Sequence, residues 1–182
     1  MTRSTSDPAA PVPPAQLPAI TAVVVVYNTV DERLQRCVSA LRASVDVRLE
    51  IIVVDNCSTS AVATPLADRI LHRAHNGGFA AGVNDGIRAA AGDWIAIVND
   101  DAVVTPSLLA RCIAANPEAG DLVPGSGGCR KIRWTRPGMG KRGGVRVIYT
   151  VRLKRGTVVL LTIYSKGAKE NIPAHVLRQI AE

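Results

Sequence analysis

The sequence predicts an α/β fold: a parallel, doubly wound sheet in the first part of the chain, then a segment of antiparallel strands. Three observations carry that expectation. Residues 20–27, 49–54 and 94–98 are runs dominated by β-branched and aliphatic side chains. They have strand length and no polar alternation, as in strands buried on both faces. Between them, apolar residues recur at helical spacing. After residue 115 the pattern changes to short basic and apolar stretches separated by Gly, Lys and Arg. Aromatic residues are only 3% of the 182, so the core has to be built from Val, Ile, Leu and Ala.

Taken in order, residues 1–19 are proline-rich, with Pro11, Pro13, Pro14 and Pro18, and lack the apolar stretch of a signal peptide. They read as a disordered leader. Strand 20–27 follows. Thr29 and Glu32 have the spacing of a capping box, and Leu34, Cys37, Val38 and Leu41 then form one helical stripe. Strand 49–54 ends at Asp55 and runs into a polar turn of Asn56, Ser58, Thr59 and Ser60. A short strand at 69–73 precedes Gly77-Gly78, which open a helix to about residue 90 with Phe79, Val83 and Ile87 on one face. Strand 94–98 ends on Asn99-Asp100-Asp101. Thr105 as cap and Pro106 at the first helical position predict one more helix, its apolar side formed by Leu108, Leu109, Cys112 and Ile113.

Strands that alternate with helices make a parallel sheet, and ligands of such sheets sit outside the carboxyl ends of the strands. Those ends carry Tyr27-Asn28, Asp55 and Asn99-Asp100-Asp101. Carboxylates gathered at one edge repel unless a cation or a donor-rich ligand joins them. Oxygen ligands of this kind suit Mg²⁺ or Mn²⁺ bridging a diphosphate. The chain has no G-x-x-x-x-G-K-[ST] loop and no G-x-G-x-x-G after the first strand, so a metal is expected to neutralise the phosphates. An Asp or Asn after a strand also serves as a helix cap or Asx-turn, which leaves a structural role open for each. His72 and His75 read as surface or turn residues, Cys57 and Cys112 as small buried hydrophobes. The four cysteines show neither metal-type spacing nor a disulfide framework, which points to a reduced, cytoplasmic chain. No apolar run approaches the roughly 18 residues of a membrane span.

Four segments recur in a specific order and spacing: Val23-Val24-Val25-Val26-Tyr27-Asn28, Ile52-Val53-Val54-Asp55-Asn56-Cys57-Ser58, Asn76-Gly77-Gly78-Phe79-Ala80-Ala81-Gly82-Val83-Asn84-Asp85-Gly86-Ile87 and Gly92-Asp93-Trp94-Ile95-Ala96-Ile97-Val98-Asn99-Asp100-Asp101. Residues 20–115 thereby resemble the amino-terminal, nucleotide-sugar-binding part of a rhamnosyltransferase-like family 2 glycosyltransferase. The resemblance implies a truncated GT-A (Rossmann-like) sheet that binds a UDP- or dTDP-sugar with Mg²⁺ or Mn²⁺. It implies that Asp55 binds the base and that Tyr27, Asn28, Asn76, Gly77 and Asn84 line the nucleotide pocket. It also places Asp100 near the ribose and Asp101 on the metal. The acceptor-binding half of that family, with its general-base carboxylate, has no match after Asp101, so transfer is expected to be impaired.

Residues 116–182 differ in charge. Residues 1–114 carry nine Arg, no Lys and eleven Asp or Glu, a net −2; residues 115–182 carry eight Arg, five Lys and four Asp or Glu, a net +9. A strand at 130–135, a hairpin of 145–151 and 157–164 around Lys154-Arg155-Gly156, and a helix at 173–181 are expected. Alternation puts Arg146, Ile148 and Thr150 on one face, expected towards solvent with the Val-rich face on the core. The segments 116–121, 127–134, 143–149 and 161–166 resemble the carboxy-terminal part of a RelE/HigB-like mRNA interferase toxin. That resemblance implies an antiparallel RelE-like sheet on which Arg146, Lys131, Arg133 and Lys166 stabilise a scissile phosphate, with RNA or the ribosome and an antitoxin as partners. The chain therefore divides into a leader (1–19), a nucleotide-sugar-binding part (20–115) and a basic β segment (116–182). Glycosyl transfer is the first functional reading and a toxin remnant that binds or cleaves mRNA the alternative.

Overall fold

β1 (Ala19–Val26) is the axis of the molecule, with a strand on each edge and helices over both faces. A computed structural model describes residues 16–114, 120–126, 129–134, 145–152, 157–165 and 173–181. After β1 come α1 (Asp31–Arg42), β2 (Arg48–Asp55), β3 (Arg69–His72), α2 (Gly78–Ala89), β4 (Trp94–Asn99) and α3 (Leu108–Ala114). Then follow β5 (Asp121–Leu122), β6 (Arg130–Trp134), β7 (Val145–Arg152), β8 (Thr157–Ser165) and α4 (Ala174–Ala181). All strands join one eight-stranded sheet of order β3-β2-β1-β4-β8-β7-β6-β5. The pairs from β3 to β4, and β4 with β8, are parallel; β8-β7-β6-β5 is an antiparallel meander. This is the α/β architecture expected, a parallel sheet with an antiparallel sheet segment after it.

Period-two alternation divides the core. Ile20, Ala22, Val24 and Val26 of β1 pack with Leu34, Cys37, Val38 and Leu41 of α1 and Leu108 and Leu109 of α3. Val23 points to the other face, with Ile52, Val54, Val83 of α2, and Leu177 and Ile180 of α4. The stripe read for α1 is buried as expected.

Four expectations change. The capping box of Thr29 and Glu32 is not formed: Val30 is the N-cap of α1, without a side-chain cap, and the Thr29 hydroxyl donates to Asp100. The helix expected from Pro106 starts at Leu108, whose N–H reaches the Thr105 carbonyl at 3.0 Å. The end of the proline-rich leader belongs to the fold. Arg48 donates its N–H to the Pro18 carbonyl at 2.9 Å and its Nε to the Leu17 carbonyl at 3.2 Å. Finally, Ile148, expected on the solvent side of β7, is 1% exposed and lies in the second core cluster with Cys129, Leu177 and Ile180. Helices α2 and α4 cover that face. Sheet and core thus run through residue 115, where charge and Lys usage change. No helix among the described residues is long and apolar enough to cross a membrane.

α2 approaches β1 closely because two of its contact positions carry no side chain. A Cβ at Gly82 would lie 2.8 Å from Val25 Cγ1, and one at Gly86 would come closer still to Val23 Cγ1. Overfilling a packed contact costs about 1–3 kcal/mol. Gly86→Ala is therefore expected to destabilise the chain by about that amount, read as a lower urea midpoint. The loss should shrink when Val23→Ala removes the clashing methyls.

Candidate functional site

The site is built by strand register. Val26 of β1 is opposite Asp55 of β2, and Val25 is opposite Asn99 of β4. The acidic ends of β2 and β4 thus flank the end of β1, two strand spacings or about 10 Å apart. Asp55 is 5% exposed. Its Oδ1 accepts the Ser58 N–H at 2.9 Å and its Oδ2 lies 3.2 Å from His72 Nδ1. His72 reaches it because Asp55 and His72 are register partners in β2 and β3. The histidine is a surface residue, as expected, and it also holds a site carboxylate.

Between the two acidic ends runs the loop after β1. Tyr27 is half exposed and Asn28 has φ of 48°. That left-handed conformation is tolerated by Asn better than by most residues. The Asn28 N–H donates to Ser58 Oγ at 2.9 Å, and Asn28 Oδ1 accepts from Thr59 N at 2.9 Å and Thr59 Oγ1 at 3.1 Å. The next residue, Thr29, donates to Asp100 Oδ2, which also lies 4.0 Å from Arg33 NH1. Asp101 follows directly. Cys37 of α1 donates its thiol to the Asn99 carbonyl at 3.4 Å, and Asn99 Oδ1 is buried without a hydrogen-bond partner. Beside this loop a cleft of about 200 Å³ is lined by Asn28, Thr29, Asp31, Ser58, Thr59 and Ser60, among others.

A second network fixes the start of α2. Asn56 is buried; its Nδ2 donates to Asn76 Oδ1 at 2.7 Å, while its Oδ1 accepts Arg73 NH1 at 2.6 Å and the Gly77 N–H at 3.3 Å. Asn76 Oδ1 also accepts the Gly78 N–H at 2.9 Å. Arg73 Nε donates to Asp85 Oδ2 at 2.6 Å.

The sequence-predicted residues therefore divide. Tyr27, Asn28, Asp55, Asp100 and Asp101 gather at the ends of β1, β2 and β4, and Asn76 with Gly77 adjoins them through Asn56. Asn84 lies further along α2 and donates to the Gln179 carbonyl of α4 at 3.3 Å. In the basic segment Arg133 is opposite Arg146, and Arg146 opposite Tyr164. Lys131 is opposite Ile148, and Lys166 lies outside the described residues. Cys57, expected to be buried, is exposed at φ of 67° in the turn after β2. Sequence reasoning missed Ser58 and Thr59 as ligands of Asp55 and Asn28, and Arg73 as the link to α2. The polar run after Asp55 was their one signal.

Among the described residues no group of three or more His, Cys, Asp and Glu is arranged to hold a metal. The carboxylates fit a different arrangement, in which one or two of them and the phosphates of a ligand share a hard cation.

Three comparisons relate the chain and its fold to known proteins. The family model for Glycosyl transferase family 2 matches residues 21–160, including β5 to β7 and the start of β8. The succinoglycan biosynthesis protein ExoO of Rhizobium meliloti is 38% identical over 116 residues, 59% of this chain and 33% of that protein. The putative glycosyltransferase EpsH of Bacillus subtilis is 30% identical over 116 residues, with the same coverage. The chain spans about a third of the length of these curated relatives. The mannosyltransferase PcManGT of Pyrobaculum calidifontis, solved with GDP-Man and Mn²⁺, superposes with a TM-score of 0.50 at 23% identity, over 59% of this chain and 35% of that one. The fold is GT-A-like. None of these comparisons supports the toxin-like resemblance of residues 115–182.

Burial alone raises the affinity of Asp55 for a proton. The Ser58 hydroxyl and N–H and the adjacent His72 outweigh it, holding the carboxyl below the usual range. Burial, with the charges of Asp100 and Asp101, pushes the Cys37 thiol up to about 12, so it stays a neutral donor. A carboxylate depressed in the folded state contributes stability that is present above its unfolded pKa of about 3.9 and is lost as pH falls through the folded value. Denaturation series from pH 7 to pH 2 should therefore show the advantage of wild type over Asp55→Asn shrinking below about pH 4. An advantage that grows on acidification would contradict this balance.

Proposed function

The chain belongs to glycosyl transferase family 2, and on that premise we propose that it binds a nucleoside-diphosphate sugar and Mg²⁺ or Mn²⁺ at the carboxyl ends of β1, β2 and β4. The observation that carries the proposal is the convergence of Asp55 and Asn99-Asp100-Asp101 on the two sides of the β1 end. Asp55 accepts from an N–H edge of the base; its geometry is set in advance by Ser58 and His72. Asp100 takes the ribose and Asp101 the metal, with Tyr27, Asn28, Asn76 and Gly77 around the nucleotide. The bound metal supplies neutralisation of the leaving diphosphate. The chain's own residues orient the donor. In this reading residues 20–115 are the nucleotide-sugar-binding part, and UDP- or dTDP-sugars are the first donors to test, with GDP-sugars alongside.

Transfer to an acceptor needs a base, and positioned general bases contribute about 10²–10⁴-fold. Asp121, exposed on β5, is at the far edge of the sheet from this site. Slow turnover by this chain is accordingly part of the proposal.

Calorimetric titration with UDP, dTDP and GDP, with and without Mn²⁺, tests the reading. At least one nucleotide should bind more tightly with metal. Asp101→Ala should remove that metal-dependent gain, while wild type and variant bind alike in chelator. A variant that keeps the full metal-dependent gain would remove Asp101 from the role assigned to it.

A further inference from the structure

A threonine that the local sequence assigns to a helix cap is spent elsewhere. Thr29 stands where the sequence offers a capping residue for α1, yet the N-cap is Val30, with no side-chain cap, and the Thr29 hydroxyl donates across 71 positions to Asp100. The residue before it is held as firmly. Asn28 has a left-handed backbone, with its N–H on Ser58 Oγ and its Oδ1 on two Thr59 donors. Ser58 in turn donates its N–H to Asp55. A path of hydrogen bonds, with the Asn28–Thr29 peptide bond as its one covalent link, therefore runs Asp55–Ser58–Asn28–Thr29–Asp100 and joins the ends of three neighbouring strands. Arg33, one turn into α1, adds a positive charge 4.0 Å from the same Asp100 oxygen.

The path has a chemical consequence. A free Asp100 carboxylate rotates about its side-chain bonds and is repelled by Asp101 next to it. With one oxygen engaged by Thr29, its second oxygen is left in a fixed direction for a ligand. We infer that Thr29 is a positioning residue for Asp100, and that Asn28-Thr29 is a strap setting Asp55 and Asp100 at the separation one nucleotide spans. The inference rests on the nucleotide-binding reading above and adds a residue to it. Outer-shell partners that orient metal ligands typically change affinity or activity about 10–100-fold when removed, and the same scale is expected for a group that orients a nucleotide-binding carboxylate.

The test is a double-mutant cycle on nucleotide affinity, measured in Mn²⁺ with UDP, or with dTDP or GDP if either binds wild type more tightly. Thr29→Val should raise Kd about 10–100-fold, and Thr29→Ser, which restores the hydroxyl, should recover it. In an Asp100→Asn background Thr29→Val should add little, because its partner has already been altered. Equal losses in both backgrounds, as a general folding defect produces, would overturn the positioning role, as would an unchanged Kd in Thr29→Val. Asp100→Asn binding like wild type, or no binding by wild type at all, would instead sink the nucleotide-site reading, and the strap with it.

Discussion

The close approach of α2 to β1 constrains everything around it. Gly82 and Gly86 let the helix backbone settle onto Val25 and Val23, and no larger residue leaves room for that distance. With the helix this low, its first residues reach the level of the β2 and β3 ends. Asn56 can then accept the Gly77 N–H while donating to Asn76. Arg73 fills the gap below Gly77, half bound to Asn56 and half to Asp85. A helix held higher on the sheet would first break the long Gly77 N–H bond to the buried Asn56, and a buried polar group that loses a partner costs more than the bond itself contributes.

At the strand ends, donors from the protein itself hold the acidic side chains in place. Asp55 is held by local donors from its own turn and by one histidine. Asp85 has two guanidinium partners, Arg73 and Arg88, and Asp100 has a hydroxyl and a distant one. Asp55 is thus oriented through both of its oxygens and Asp100 through one. Preorganisation of this kind lowers the ordering cost when a ligand arrives.

Much of this was legible in the sequence because it is local. Unbroken Val and Ile runs marked β1, β2 and β4, and the stripe of Leu34, Cys37, Val38 and Leu41 marked the buried face of α1. That Asp55 and Asp100-Asp101 come together was legible because a parallel sheet puts all its strand ends on one edge. What was not legible depends on distant partners. Thr29 has the local grammar of a cap, and only Asp100 draws its hydroxyl away. Ile148 was assigned to solvent by counting valines on β7, but α2 and α4 decide which face is covered. The parallel pairing of β8 with β4 had a faint sign in the run Thr157–Ser165, too continuously apolar for an edge hairpin. The likeness to two families across residue 115 concealed that one sheet runs through it.

β8 has a consequence for how the chain is made. It is the strand that adjoins β4, and in the sheet β7, β6 and β5 follow outward from it. Synthesis proceeds in the opposite order: β5, β6 and β7 leave the ribosome before the strand that anchors them. Until then β4 presents an open, apolar edge, the kind of surface that pairs with a neighbouring nascent chain. The vectorial growth of the polypeptide and the spatial order of its sheet run against each other, so the β4 edge stays open to wrong pairing until residue 165 has emerged.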